Sequence, residues 1–167
     1  GVHERGLVQN NLGEPLVPIA VLPAPAADLA GAGVEGPAEG VPGQKLLLSW
    51  TVTNAGDATA RAPWTDQLYL STDGTLAGTA FLISLEHTFD LPMAESYTAT
   101  AEIPLPDVAD GSYRILLQTD VHSQVFEEGR EGNNILASAA SLAVTHPDLQ
   151  PIVVTLPATV ASGEPLL

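Results

Sequence analysis

The chain has 167 residues, with 20 acidic and 5 basic side chains, four histidines and no cysteine, and its formal net charge is −15. A surface this acidic repels phosphate backbones and anionic lipid, so nucleic acid is excluded as a partner and membrane insertion is not expected. Without cysteine there is no disulfide framework and no thiol or zinc–cysteine site, and the fold must be held by packing.

The N-terminal part of the chain predicts a strand that leads into a stiff linker. An uncharged run, residues 15–27, contains four prolines and is too short to span a bilayer. Residue 1 begins no signal peptide, and we expect the chain to be part of a longer polypeptide.

Short alternations of apolar and polar residues, separated by turns, predict an all-β domain. In residues 45–54, the apolar side chains of Leu48, Trp50 and Val52 lie on one face of the predicted strand, an alternation that is typical of a half-buried strand. The predicted strands are residues 28–34, 45–54, 67–71, 80–89, 97–103, 113–118 and 134–144. The predicted core residues are Leu48, Trp50, Val52, Ile115 and Leu117. This number of strands favours a β-sandwich, in which Tyr113 is either a tyrosine corner or an ordinary half-buried tyrosine.

The two ends of the chain repeat parts of its middle. Residues 28–47 align without gaps with residues 148–167, and eight of the twenty positions are identical. Residues 2–11 align with residues 125–134, and five of the ten are identical. We therefore expect a tandem array: the C-terminal strand and linker of one repeat at 1–27, a complete repeat at 28–147, and the N-terminal strand of a third at 148–167.

Several motifs of the complete repeat resemble the CARDB domain, a cell-adhesion-related domain found in bacteria. They are LSWTVTNAG, WTDQLYLSTDG, DGSYRILLQTD and VFEEGREGNN. The resemblance covers residues 28–147 and implies an immunoglobulin-like or fibronectin III-like sandwich of about seven strands, repeated about every 120 residues. It also implies a place in large secreted or surface proteins, with a role in adhesion. Relatives often carry a further acid after the STDG turn, but Ala77 follows here, so we expect Asp73 to be a turn residue.

The residues give no sign of catalysis. The four histidines fall in separate segments, and the sequence contains no zinc-protease, nucleophile-elbow or phosphate-loop motif. We therefore expect no catalytic residue, no cofactor and no enzymatic activity.

The segment from Asp120 to Asn134, DVHSQVFEEGREGNN, is the densest polar stretch. A structural hairpin is the favoured interpretation, with positive φ at Gly129 and Gly132 and the asparagine side chains bonded to backbone. A calcium site remains the alternative, because carboxylate and amide oxygens suit that ion. The candidate calcium ligands are Asp120, Glu127, Glu131 and Asn133.

These observations favour a non-catalytic spacer or scaffold unit of a secreted or cell-surface bacterial protein, with neighbouring repeats of the same chain or fibre as its partners. The alternative is a carbohydrate- or protein-binding accessory domain of a secreted hydrolase or adhesin, since sandwich loops and edges commonly bind such ligands.

Overall fold

The computed structural model describes residues 20 and 22–151, and regular structure in this range is almost entirely β. The strands are β1 (Leu29–Glu35), β2 (Glu39–Gly40), β3 (Lys45–Asn54), β4 (Trp64–Ser71), β5 (Ala80–His87), β6 (Ser96–Pro104), β7 (Gly111–Gln118), β8 (Ile135–Ala137) and β9 (Leu142–Val144). Helical backbone in this range is limited to a 3-10 turn at Glu131–Asn133. The predicted all-β class is confirmed, while most of the two predicted flanking segments lies outside the described residues.

The strands form two sheets that face each other. One sheet has the order β1-β3-β6, and the other has the order β2-β9-β7-β4-β5, with β8 also paired to β7. Neighbouring strands run antiparallel except β2 and β9, which are parallel. The architecture is therefore an immunoglobulin-like sandwich.

The core lies between the sheets, where the alternating residues of β3 meet those of β4 and β7. Along β3 the even-numbered residues from Leu46 to Val52 are buried, because successive side chains of a strand point to opposite faces. Trp50 has no exposed surface. All five predicted core residues are buried, which confirms that part of the prediction: Leu48, Trp50, Val52, Ile115 and Leu117.

Most predicted strands agree with the observed ones to within two residues at each end, and two differ more. The second strand begins at Trp64, three residues before the predicted start. The predicted strand at 134–144 is interrupted between β8 and β9, where Ser138 accepts a hydrogen bond from the amide of Ile115 and donates one to the carbonyl of Ala140. The hydroxyl of Tyr113 donates to the carbonyl of Ala109 at 2.8 Å, so this residue is a tyrosine corner.

The chain enters and leaves the sandwich at opposite ends. At the Leu29 end, β1 begins with an amide that donates to Glu127, in the loop that follows β7. At the Val144 end, β9 finishes opposite Gly111, the first residue of β7. Since β7 runs the length of its sheet, the two ends are separated by a full strand.

Residues just before β1 pack firmly on the sandwich. Ala26 and Ala27 are buried, and the carbonyl of Ala26 accepts hydrogen bonds from the amides of Asp57 and Ala58. A Cβ atom on Gly56 would lie 2.4 Å from the Ala26 oxygen, so only glycine allows the two backbone segments to approach this closely. The incoming chain is therefore fixed to the domain from Ala26 onward.

A buried carboxylate joins the two sheets. Asp66, on β4, has no exposed surface. Its Oδ2 accepts hydrogen bonds from Trp50 Nε1 at 2.7 Å and from the Tyr97 hydroxyl at 2.6 Å, both in the opposite sheet. His87 Nε2 lies 2.9 Å from the same oxygen, and the Thr119 hydroxyl donates to Oδ1 at 2.7 Å. Burial and the nearby Asp66 carboxylate raise the pKa of Tyr97, so its hydroxyl stays a donor.

We expect Asp66→Asn to destabilise the domain by about 3 kcal/mol, because an amide offers one acceptor oxygen to four buried donors and leaves some unpaired. Urea unfolding followed by the fluorescence of the two buried tryptophans measures this loss. Asp148→Asn, at an exposed site, is the matched control and should change stability by less than about 0.5 kcal/mol. A loss below about 1 kcal/mol for Asp66→Asn would show that the donors find other partners.

Candidate functional site

The loop between β7 and β8, residues 119–134, folds back on itself around Asp120. Both oxygens of this buried carboxylate accept backbone hydrogen bonds of 2.8 Å, from the amides of Gln124 and Val125. The backbone φ of Asp120 is 43°, in the left-handed region that costs energy for a residue with a side chain. The Asp120 carboxylate therefore stabilises the folded conformation of this loop.

Glu127 connects this loop to the start of β1. Its side chain is 1% exposed, and Oε1 accepts a 2.5 Å hydrogen bond from the amide of Leu29. Oε2 accepts a 3.0 Å bond from Asn134 Nδ2. Burial raises the pKa of the Glu127 carboxyl, and the neighbouring Glu131 and Asp120 carboxylates raise it further, against the two hydrogen bonds that lower it.

The third carboxylate, Glu131, lies on the exposed 3-10 turn and accepts a 2.9 Å hydrogen bond from the same Asn134 amide nitrogen. Asp120, Glu127 and Glu131 each offer an oxygen, and these oxygens lie within 4.8 Å of one another. Three of the four predicted calcium candidates are thus brought together. We call these three residues with Asn134 the acidic cluster.

The fourth candidate, Asn133, lies outside the acidic cluster and donates instead to Asp28 Oδ1 at 2.8 Å. Asn134 takes the place beside the carboxylates, and its Oδ1 is a buried atom with no hydrogen-bond partner among the described residues. The sequence offers the amide oxygens of both Asn133 and Asn134, because both align with asparagines at positions 10 and 11, and only Asn133 was named as a candidate ligand. Gly129 has the predicted positive φ of 82°, but Gly132 lies in the 3-10 turn and does not.

Asp73 and His87, also considered from the sequence, have structural contacts. Asp73 Oδ1 accepts hydrogen bonds from Ser71 and from the amide and hydroxyl of Thr75, which lower the pKa of its carboxyl and confirm it as a turn residue. His87 is buried against Asp66, and His122 is exposed on the loop. His3 lies outside the described residues.

The CARDB family model matches residues 26–138, which is most of the chain. This chain belongs to the CARDB family. CARDB is a non-catalytic, cell-adhesion-related domain family, and membership in it supports a non-catalytic adhesion-related module. No curated protein sequence matched the chain.

Solved CARDB structures share the fold. A CARDB domain from Pyrococcus furiosus, crystallised in complex with di-metal ions, is 18% identical, with a TM-score of 0.54 over 75% of this chain and 95% of that one. A solution NMR structure of the same Pyrococcus furiosus domain is 20% identical, with a TM-score of 0.51 over 71% and 95%. A β-glucosidase from Erythrobacter marinus has a TM-score of 0.48 at 13% identity, and the match covers only 16% of its chain.

Among the described residues, no helix of this CARDB domain has the length and apolar character needed to cross a membrane.

A second polar group lies at the Val144 end of the domain. His146, just after β9, places Nδ1 2.6 Å from Asp110 Oδ1 and Nε2 3.1 Å from Asp107 Oδ1. Its backbone amide also donates to Asp110 at 2.9 Å. Hydrogen bonds to Asp110 and then Asp107 raise the pKa of His146 above 6.5, and the same pairing lowers the pKa of Asp110 below 3.8.

We expect the His146 pair to stabilise the CARDB domain only in a limited pH range. The folded state binds the imidazolium proton more tightly than the unfolded chain, so the stabilisation is fully present below the unfolded histidine pKa of about 6.5 and is lost as the pH rises through the folded value. At the acidic side it is lost as Asp110 becomes protonated. NMR titration of His146 should give a pKa above 6.5 that falls in Asp110→Asn. An unchanged value in that variant would contradict the pairing.

Proposed function

We propose that this CARDB domain is a spacer or scaffold unit of a large secreted or cell-surface bacterial protein that takes part in adhesion. In this role it contacts the neighbouring repeats of the same chain or fibre and holds other parts of the protein at a distance. It needs no catalytic site.

The observation that carries the proposal is the position of the two chain ends. The chain enters at the Leu29 end and leaves at the Val144 end, so consecutive domains joined in this way extend in a line. Burial of Ala26 and Ala27 fixes the incoming segment to the domain, and His146 holds the outgoing segment to Asp110. Both junctions are therefore attached to the sandwich directly.

Two further observations support the proposal. The 120-residue offset between residues 28–47 and 148–167 is what consecutive copies of one domain produce. A surface hollow of about 550 Å³ between β1 and β8 has Glu35 as the single ionisable residue of its lining, so it lacks the paired acid and base groups of an active site. The excess of acidic residues keeps such an array soluble.

The separation of the two ends can be measured directly, because the chain has no cysteine and accepts a single pair of spin labels. With labels at Ala24→Cys and Asp148→Cys, we expect one narrow distance distribution above about 27 Å, the length of an eight-residue strand. Labels at Ala24→Cys and Phe126→Cys should be much closer together, because Phe126 and Pro25, the residue after Ala24, both line a second, smaller hollow at the Leu29 end. Similar distances for the two pairs, or a broad distribution for the first, would argue against a rigid spacer.

One observation favours the alternative role of a carbohydrate- or protein-binding accessory domain. All three phenylalanines are exposed, by 55% for Phe81, 46% for Phe89 and 67% for Phe126. Phe81 lies on the edge strand β5 and makes an edge contact with the ring of Tyr69, which gives a small aromatic surface of the kind that sugars stack on.

If this surface binds a carbohydrate, the intact chain should bind a member of a polysaccharide array, and Phe81→Ser should abolish that binding because the stacking ring is gone. Leu47→Ser is the matched control, since Leu47 is 65% exposed on the opposite sheet. Equal effects of the two variants, or no binding by the intact chain, would leave the spacer role as the function.

A further inference from the structure

The loops at the Leu29 end of the domain expose large apolar side chains. Phe89 follows β5, Met93 lies in the turn before β6, and Phe126 lies in the loop after β7. All three are exposed, Met93 by 57%. Among the described residues, the loops that connect strands at the Val144 end expose no large apolar side chain. Apolar side chains exposed together on one face of a domain mark an interaction surface.

These side chains lie around the point where the chain enters the domain. The turn that carries Met93 donates a backbone hydrogen bond to Asn54, and Asn54 is the β3 residue opposite Leu29. Phe126 lines the smaller hollow, of about 280 Å³, together with Pro25 of the incoming segment. We call the three apolar residues and this hollow the entry face.

The charged residues around the entry face are paired with one another. The Arg61 guanidinium donates to the Asp90 carboxylate. The guanidinium nitrogens of Arg130 lie 3.9 Å from Asp57 and 3.6 Å from Glu128. The two arginines offset part of the negative charge that would otherwise repel an acidic neighbour from this end.

The repeat alignment gives the length of chain between consecutive domains. The offset of 123 residues that aligns residue 2 with residue 125 continues without a gap to residue 21, where IAV at 19–21 matches LAV at 142–144. Residue 21 is therefore aligned with Val144, the last residue of β9. Residues 22–25 alone separate it from Ala26, which is buried in this domain. At the extension of a proline-rich segment, about 3.1 Å per residue, this connection spans about 16 Å.

This spacing brings the end of one domain against the next. Packed β-sheets lie about 10 Å apart, with the side chains of both filling the space between them. A gap of about 16 Å at most is therefore nearly filled by the loops and side chains of two end faces. The Val144 end carries three prolines that are exposed or half-buried, Pro42, Pro104 and Pro106. Their rigid rings lose no rotamer freedom when they pack against aromatic side chains.

We propose that the entry face is the docking surface for the Val144 end of a second copy of this domain, placed before it as the preceding repeat. The inference rests on the proposed spacer function and specifies which two surfaces its consecutive units share. Docking covers the hollow and buries the ring of Phe126. The junction is then a contact between two folded faces, and consecutive domains keep a fixed relative orientation.

The test places two copies in one chain by joining residues 1–144 to residues 22–167, which repeats at the new junction the native step from residue 21 to Leu22. The full 167-residue chain is the reference. Thr59→Cys in the hollow of the second copy reports access, because the native chain has no cysteine. Its thiol should react with a maleimide at least about tenfold more slowly in the tandem than in the reference chain, the effect expected from burying one aromatic ring.

Two variants of the second copy separate docking from simple proximity of the linker. Phe126→Ser removes the ring and keeps the linker, so it should restore the thiol reactivity of the reference chain. Phe81→Ser is the matched control, because Phe81 is 55% exposed on β5, outside the entry face, and its loss should leave the slow reaction unchanged. Dispersed amide NMR signals like those of the reference chain check that both copies are folded in each variant.

Equal thiol reactivity in the tandem and in the reference chain would overturn the docking surface. A slow reaction that persists in Phe126→Ser would also overturn it, because the linker and not the neighbouring domain would then cover the hollow. Failure of docking is distinguishable from failure of the spacer role. The distance between labels at the two ends of a single chain reads the rigidity of one domain, whether or not two copies dock.

Discussion

The sandwich depends on one buried carboxylate with four donors. Asp66 receives hydrogen bonds from Trp50 and Tyr97 in one sheet, and from Thr119 and His87 in its own. These donors lie on or next to β3, β6, β7 and β5, so a single residue fixes the relative position of most of the long strands. Apolar packing alone allows two faces to slide, whereas a polar group inside the core has one satisfactory arrangement. The interaction therefore contributes specificity as well as stability.

A second buried carboxylate links separate segments at the edge of the domain, but its surroundings differ from those of Asp66. Glu127 is as buried as Asp66, and it also ties elements that are distant in sequence, the loop after β7 and the first strand. Both carboxylate oxygens of Asp66 accept hydrogen bonds from side chains that carry no negative charge. Around Glu127 two further carboxylates approach, and Asn134 is left with an unbonded oxygen. Asp66 is therefore surrounded by hydrogen-bond donors alone, whereas Glu127 accepts its two hydrogen bonds beside two other carboxylates.

Sequence periodicity was sufficient for most of the strands and for the core, but not for the polar interactions or for the break between β8 and β9. Leu48, Trp50 and Val52 follow from strict alternation, which a half-buried strand imposes locally. Asp66 was missed because a carboxylate at a strand start usually faces solvent, and its four donors come from separate segments. Asn133 was named in place of Asn134 because the backbone of the 3-10 turn decides which of two adjacent asparagines points inward. The break between β8 and β9 has no glycine or proline and is made by the contacts of Ser138 with β7.

The opposite placement of the chain ends has a mechanical consequence. The first strand of the sandwich belongs to one sheet and the last belongs to the other, and a pull on the two ends acts along the axes of these strands in opposite directions. The hydrogen bonds of an antiparallel pair lie perpendicular to the strands. Tension therefore loads the ladder between β1 and β3 in shear, with its bonds sharing the force, and does not peel them apart one at a time. A domain connected in this way resists stretching through its backbone, along the line that joins its two chain ends.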